Sequence, residues 1–450
     1  MKRTPEDRGT GARRHRGTGI PLALTVALVA AAPLAAQQPA AAHSPAVYAI
    51  RDATIVPVVG ARIAGGTIVL RNGRIDAVGA GVQVPADAQV IDGTGLFVYP
   101  GLFDAGTTLG LVEIGSVPGG DDRRELGDFN PHNDALTAVN PASEIIPTVR
   151  VNGVTTAMTA ARGGVIAGQA ALIDLAGWTA QEMAVLPRAG MALSFPRIAA
   201  AQRGGPGAPR RSESEQREEL SRQTRALRDY FGDALAYADV GARLAAGGTG
   251  TQEVSLPLEA MVPVVRGESP VIVEADNVEQ IRGALALADS FHLRIILRSG
   301  REAWRLADTL AARRIPVIVG PTTNSPGDGD PYDAVYALPG VLARAGVTIA
   351  FQTASASDAR NVAYNAALAT AYGLDPDEAL RALTINPARI FGVADRYGSL
   401  EAGKVANLIV TNGDPLDPRT QIRHVFIRGR PIPQDDRHNR LYQQYRARPR

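Results

Sequence analysis

The chain has 450 residues, more than a typical single domain, so its length predicts a large domain together with a smaller one. Hydrophobic residues make up 45% of it and aromatic residues only 5%, so aliphatic side chains must fill the core. The formal net charge of +2 does not favour nucleic acid as a partner, and the lack of cysteine excludes disulfides, thiolate metal ligands and a thiol nucleophile.

The N-terminal segment, residues 1–36, predicts a secretory signal peptide. Basic residues precede an apolar run over residues 20–34, and the small residues Ala35 and Ala36 follow it. The apolar run is shorter than a membrane-spanning helix usually is. The alternative is that it forms an uncleaved N-terminal anchor. With six of the 47 basic and two of the 45 acidic residues in this segment, the mature chain has a net charge near −2. We expect an exported protein, periplasmic or secreted, that contacts neither membrane nor nucleic acid after cleavage.

Short β-strands are predicted near both ends of the mature chain. Residues 46–97 contain apolar runs, with Asn72-Gly73 as a hairpin signal between two of them. Similar runs recur within residues 395–432. We expect these two segments to pair into one small β-sandwich domain.

The region between them, residues 98–394, has a different pattern. Runs rich in valine and isoleucine alternate with helix-like stretches, as where Val271–Val273 precedes Asn277–Ser290. This alternation indicates parallel βαβ units, and enough of them fit for a (β/α)8 TIM barrel in the α/β class. Within the barrel, residues 201–228 are rich in glycine, proline, arginine and glutamate. They predict a flexible charged insertion that leads into a solvated helix.

Several motifs in order carry a resemblance to a known family. Pro100-Gly101-Leu102-Phe103-Asp104 resembles the first-strand signature of the amidohydrolase superfamily. The C-terminal half resembles the imidazolonepropionase-like branch at Asn361–Ala367, Ala382–Arg389, Gly398–Lys404, Asn407–Val410 and Gly413–Leu416. The resemblance covers roughly residues 48–430. It implies a barrel with one or two divalent metals that activate water against an amide or related C–N bond of a small molecule, and it allows a homodimer.

The chain departs from this family at the metal-ligand positions. Gly106 and Thr108 stand where the family has two histidines after the first strand, and Ala354 stands where it has an aspartate. Glu274 and either Ser299 or Arg298 take the places of the two middle histidines. We therefore predict that no metal or other cofactor is bound and that the protein is plausibly a pseudoenzyme.

The histidine and lysine counts support this prediction. Between residues 98 and 390 the sequence has only His132 and His292, and its two lysines, Lys2 and Lys404, lie outside the barrel. His292 ends a helix just before a strand, which places it on the stability face of a barrel.

Three residues are candidates for catalysis. Asp104 and Glu274 are expected near the carboxyl ends of strands, where converging carboxylates could divide into a general acid and a base. The alternative is an ion-pair network with Arg298 or Arg301. His132 lies in an acidic loop, residues 121–134, where it could act as a base or the loop could hold a cation such as Ca²⁺. The alternative there is a solvated loop.

Six residues are predicted to contact a ligand. Arg162, Gly163 and Gly164 belong to a Gly-rich loop whose amides and guanidinium could receive an anionic group, unless the glycines only satisfy backbone geometry. Arg298, Gln352 and Asn361 complete the set.

Three hypotheses follow. The first is a degenerate amidohydrolase that binds a small molecule without hydrolysing it. The second is a metal-independent hydrolase or isomerase that uses Asp104, Glu274 and His132. The third is a hydrolase with one metal in the acidic loop. Family analogy favours a C–N hydrolase, although function depends on the site rather than on the fold.

Overall fold

The computed structural model describes residues 47–197, 212–327 and 329–448. The predicted signal peptide and residues 201–211 of the predicted insertion lie outside these ranges. Across the part of the chain described, we find no helix with the length and apolar character that crossing a bilayer would require.

The strands and helices of the described residues alternate along most of the chain. The strands are β1 Val47–Ile55, β2 Ile63–Arg71, β3 Arg74–Gly79, β4 Ala88–Asp92, β5 Phe97–Pro100, β6 Leu102–Thr107, β7 Val154–Thr159, β8 Ile166–Asp174, β9 Ala184–Ser194, β10 Val271–Ala275, β11 Ile295–Ser299, β12 Val317–Val319, β13 Ile349–Phe351, β14 Leu408–Thr411, β15 Ile422–Ile427 and β16 Arg430–Ile432. The helices are α1 Ala135–Ala138, α2 Ile145–Arg150, α3 Ala180–Met183, α4 Glu213–Ala245, α5 Leu256–Val265, α6 Val278–Phe291, α7 Ala307–Ala312, α8 Ala334–Arg344, α9 Val362–Ala371, α10 Pro376–Ala382, α11 Ile385–Ile390 and α12 Arg437–Arg446, with 3-10 turns at Pro118–Gly120, Ala303–Leu306 and Ala359–Asn361.

Strands from both ends of the described chain form one sheet, in the order β16-β15-β14-β5-β1-β2-β3, with β4 also on β1. The Asn72-Gly73 hairpin joins β2 to β3, and both residues have the positive φ that such a turn requires. Tyr48 on β1 lies edge-to-face with Phe426 on β15 at 5.4 Å, although two strands separate them in the sheet. The sheet therefore curves around its own core, and this confirms a β-rich unit built from the N- and C-terminal segments.

The remaining strands, β6 to β13, form a second sheet in sequence order. Its inner side is filled by aliphatic and aromatic side chains such as Phe103, Met158 and Ile272. The sheet closes where β13 meets β6, because the backbone N–H of Ala354 donates to the carbonyl oxygen of Gly106 at 2.8 Å. This arrangement confirms the predicted barrel.

One barrel strand differs from the regular pattern, since β8 runs antiparallel to both of its neighbours, β7 and β9. The physical reason is the length of the connection from β7. Only residues 160–165 join the two strands, whereas a parallel crossover needs about a dozen residues. The connection is a hairpin, and it carries the Gly-rich loop to the carboxyl end of β7.

Helix α4 begins within the predicted insertion. Ser212 and Glu215 form a capping box at its start, and residues 213–228 of the insertion are helical. Its buried side chains are spaced by three or four residues, as expected for one helical face packed on the barrel. They are Leu227, Phe231, Ala234 and Ala238.

A buried polar network joins the barrel to the terminal sheet. Asp174, at the end of β8, is inaccessible to solvent and accepts hydrogen bonds from Arg428 Nε at 2.7 Å and Asn407 Nδ2 at 2.8 Å. Tyr397 and Thr156 donate to the same carboxylate at 3.1 Å. Burial raises the pKa of Asp174, and these donors oppose that shift. The network fixes the terminal strands against β7 and β8.

We expect Asp174→Ala to lower the free energy of unfolding in urea by about 3 kcal/mol, because it leaves the Arg428 guanidinium without its buried partner. The control is Asp417→Ala, which removes a carboxylate that Arg419 contacts at the same 2.7 Å at the surface. Since exposed ion pairs contribute little, the control should leave the urea midpoint unchanged. Equal losses in the two variants would contradict the structural role of the network.

Candidate active site

A cavity of about 410 Å³ lies at the carboxyl ends of the barrel strands. This is the face where barrel enzymes carry their sites. Its walls come from the segments that follow β7, β9 and β10, together with β11. Four of the six predicted ligand contacts line it, namely Arg162, Gly163, Gly164 and Arg298, and so does the predicted catalytic residue Glu274.

Arg298 and Glu274 form an ion pair at the bottom of this cavity. They lie on the adjacent parallel strands β11 and β10, directly opposite each other in register. Arg298 Nη2 donates to Glu274 Oε2 at 2.5 Å. Arg298 is only 5% exposed, and its Nε is buried without a hydrogen-bond partner, whereas the Glu274 side chain is 36% exposed. The pair therefore brings an incompletely satisfied guanidinium to the barrel mouth.

Arg162 reaches into the same space from the end of β7. Its Nη2 donates to the carbonyl oxygen of Ala354, which follows β13 on the other side of β6, and its Nε is buried without a partner. Burial lowers the pKa of Arg162, and the nearby Arg298 guanidinium lowers it further. Arginine nonetheless stays protonated at neutral pH, so two positive charges share the barrel mouth.

The Gly-rich loop places its backbone against a second loop. Gly164 has φ +63°, and a Cβ there would lie 2.7 Å from the carbonyl oxygen of Gly127 and 2.9 Å from that of Asp128. Val165 N–H donates to the Asp128 carbonyl at 2.7 Å. Only glycine allows this approach, so the glycines do more than satisfy a turn.

We expect Gly164→Ala to lower the free energy of unfolding roughly twice as much as Gly65→Ala. Gly65 has a similar φ of +60°, and nothing lies within 4 Å of a Cβ there. The Gly65 variant therefore measures only the cost of the left-handed backbone, about 1 kcal/mol, while Gly164→Ala must also separate two loops. Urea unfolding measures both, and equal costs would mean that the loops are not held together.

Asp104, the second predicted catalytic residue in the barrel, is fully buried at the seam between β6 and β13. Its Oδ1 accepts the backbone N–H groups of Gly106 and Thr353 at 3.1 Å, and its Oδ2 lies 2.5 Å from Thr353 Oγ1. Burial raises the pKa of Asp104 to about 7, against the hydrogen bonds that lower it. When protonated, the carboxyl donates to Thr353 Oγ1, whose own proton points to the Ser355 carbonyl at 3.2 Å.

We expect the stability of the seam to fall as pH rises from about 4 to about 7. Over this window the folded chain keeps the Asp104 proton and the unfolded chain, with an ordinary pKa of 3.8, does not. Asp104→Asn should remove roughly 3 kcal/mol of this dependence, because the amide donates to Thr353 without titrating.

Urea unfolding between pH 4.5 and 8 tests this, with Asp239→Asn on the exposed side of α4 as the control. A pH dependence that is the same in wild type and Asp104→Asn would show that Asp104 is ionised in the folded chain.

The other predicted site residues lie elsewhere. His132 is exposed and does not line the cavity, so the structure does not bring it together with Glu274. Gln352 is buried, and its Nε2 donates to the Gly320 carbonyl at 3.0 Å. Asn361 is half-buried at the start of α9 and also lies outside the cavity walls. His292 caps the end of α6 with φ 54°, on the face opposite the cavity.

The sequence predictions missed other residues of the cavity wall. Arg197 follows β9, and Arg124 and Asp128 come from the loop after β6. In the acidic loop, where a cation site was one prediction, Asp121 is paired with Arg123 at 2.6 Å and Asp134 caps α1. A polar residue directly after an apolar run was the available signal for Arg197.

The residues at the metal-ligand positions do not fit a two-metal centre. A Cβ at position 106 would lie 2.3 Å from Gln352 Oε1 and 3.1 Å from Gln352 Cβ, so the buried Gln352 side chain would have to move to admit one. The Arg298 guanidinium lies at the barrel mouth beside Glu274, and a cation repels metal ions. Among the residues that the structure describes, no three histidine, aspartate or glutamate side chains group closely enough to hold a metal.

Comparisons with known proteins bear on the predicted family. Residues 280–432, about a third of the chain, match the Amidohydrolase family. A solved amidohydrolase from Thermotoga maritima MSB8 has a TM-score of 0.75 and 27% identity, covering 86% of this chain and all of that one. Molinate hydrolase, with a TM-score of 0.55, 17% identity and coverage of 90% and 98%, shares the fold. These matches support the amidohydrolase superfamily, which the motifs predicted.

A curated relative matches over a short segment. N-substituted formamide deformylase from Arthrobacter pascens is 57% identical over 44 residues, which are 10% of this chain. The match spans only 8% of that protein's length.

Proposed function

We propose that this protein is an exported member of the amidohydrolase superfamily that binds a small molecule at the barrel mouth and has lost metal-dependent hydrolysis. The observation that carries the proposal is the presence of Arg162 and Arg298 in one cavity wall, close enough that the Arg298 guanidinium lowers the pKa of Arg162. Family membership supports descent from a hydrolase of C–N bonds. The names of two relatives, a deformylase of N-substituted formamides and a molinate hydrolase, support a small molecule as the ligand.

The chemistry of the cluster supports binding over hydrolysis. In a two-metal hydrolase the metals lower the pKa of bound water and polarise the carbonyl. Guanidinium groups can orient and neutralise an anionic group, but they cannot act as a base at neutral pH. Of the carboxyl groups nearby, Asp104 is sealed in the seam and has both oxygens engaged.

A second candidate function is metal-independent hydrolysis or isomerisation. It is favoured by one observation, the Glu274 carboxylate, which is partly exposed in the cavity wall. In this version Glu274 would transfer a proton while Arg162 or Arg298 stabilises developing negative charge. Its two predicted partners lie elsewhere. Asp104 is buried in the seam between β6 and β13, and His132 lies outside the cavity.

The remaining expectations are part of the same proposal. Export to the periplasm or medium is proposed from the N-terminal sequence. The absence of membrane and nucleic-acid partners after cleavage is proposed from the charge of the mature chain. Assembly as a homodimer is proposed by analogy with the family.

Two measurements on residues 37–450 test the proposal. The first is the metal content after dialysis without chelator, and the second is the turnover of N-substituted formamides and N-acyl amino acids. We expect a folded chain with less than a tenth of a metal ion per protein and no hydrolysis. Stoichiometric zinc, iron or manganese with turnover that a chelator abolishes would overturn it. Metal-free turnover lost in Glu274→Gln, but kept in the control Glu302→Gln at the start of the Ala303–Leu306 turn, would establish the second candidate.

A further inference from the structure

We propose that the barrel mouth holds an oxyanion-binding site for the carboxylate or phosphate group of a small ligand, formed by Arg162, Arg298 and the backbone amides of Gly163 and Gly164. This inference rests on the proposed function and specifies its ligand class. Arg298 is one of two residues at a position where the family resemblance implies a metal-binding histidine.

Both guanidinium groups have N–H donors that make no hydrogen bond within the described residues. Arg298 uses only Nη2, toward Glu274, and Arg162 uses only Nη2, toward Ala354. Within the described ranges 47–197, 212–327 and 329–448, the Nε of each residue is buried without a hydrogen-bond partner. Because buried donors are normally satisfied, this deficit indicates a missing acceptor. The paired N–H donors of an arginine guanidinium match the paired oxygens of a carboxylate or phosphate group.

The Gly-rich loop adds backbone donors at the same place. Gly163 and Gly164 have φ of +100° and +63°, and both line the cavity. Within the described residues neither amide N–H has a backbone acceptor, whereas the flanking N–H groups of Arg162 and Val165 are bonded to the carbonyls of Arg123 and Asp128. Successive free amides in a loop of this kind form an anion-binding concavity.

The charge of the wall favours an anion. Arg124, Arg162, Arg197 and Arg298 line the cavity with three carboxylates. Of these, Glu274 is paired with Arg298, and Asp276 is held outside that pair by Ser299 at 2.5 Å and Arg301 at 3.4 Å. Asp128 is exposed. Arg162 has no carboxylate within 4 Å among the described residues, so its charge is available to a ligand.

The size and apolar part of the cavity limit the ligand. About 410 Å³ accommodates a small organic molecule, and Val165, Phe195 and Ile272 supply apolar wall. We therefore expect a ligand with an anionic group, bound by the arginines, and a compact apolar remainder.

Calorimetric titration of the mature protein tests this with benzoate, its neutral counterpart benzamide, and inorganic phosphate, at 20 and 200 mM NaCl. We expect benzoate to bind at least tenfold more tightly than benzamide and to weaken with salt. Phosphate binding as tightly as benzoate would assign a general oxyanion site, and benzoate alone would assign a carboxylate site. Benzoate and phosphate both binding no more tightly than benzamide would overturn the inference.

Variants locate the site. Arg162→Gln should weaken benzoate binding at least tenfold, and Arg162→Lys, which keeps the charge without the fork, should weaken it less. The control Arg282→Gln removes an exposed charge from α6. An equal loss in the control would show that net charge, and not this site, binds the anion. If the Arg162 variants fail to fold, the wild-type comparison of benzoate with benzamide still decides.

Failure here is distinguishable from failure of the proposed function. Tightly held metal with turnover would end the proposed function whatever the titrations show. A folded, metal-free protein that does not discriminate benzoate from benzamide would end only the oxyanion site.

Discussion

The closing seam between β6 and β13 is the constraint on which the rest of the barrel depends. Few ladder hydrogen bonds join these strands. The Asp104 carboxyl on β6 instead forms hydrogen bonds with the backbone N–H and the hydroxyl of Thr353, just after β13. The seam positions the carbonyl of Ala354, which in turn receives Arg162. Asp104 resembles part of a catalytic motif, but in this structure its contacts stabilise the seam. Its raised pKa follows from burial and does not by itself indicate a role in proton transfer.

The same geometry explains how a hydrolase fold can hold a binding site of another kind. The space beside Gly106 is taken by Gln352, and Arg298 contributes a fixed positive charge at the barrel mouth. A guanidinium offers directional donors where a metal would offer open coordination positions. In the proposed site, Arg162 and Arg298 would attract electron-rich groups through guanidinium donors rather than through metal coordination.

The sequence predicted the order of strands and helices well, because runs such as Val271–Val273 carry the periodicity of buried parallel strands. It did not predict that β8 is antiparallel, since a strand buried on both faces has the same pattern in either direction. The motifs located Arg162, Arg298 and Glu274 at one mouth because carboxyl ends of parallel strands meet there. The direction of His132 could not be predicted, because a residue in a long loop has no periodicity that fixes it. In the structure His132 is exposed and does not line the cavity.

The pairing of β5 with β14 has a consequence for the order in which the protein can fold. The ribosome completes Phe97–Pro100 roughly 300 residues before its partner Leu408–Thr411 exists. At usual rates of synthesis, that interval lasts roughly 15 to 60 s. During it an apolar strand edge has nothing to pair with, and such edges recruit other chains. A chain kept unfolded until it is complete, as exported chains commonly are, would avoid that interval.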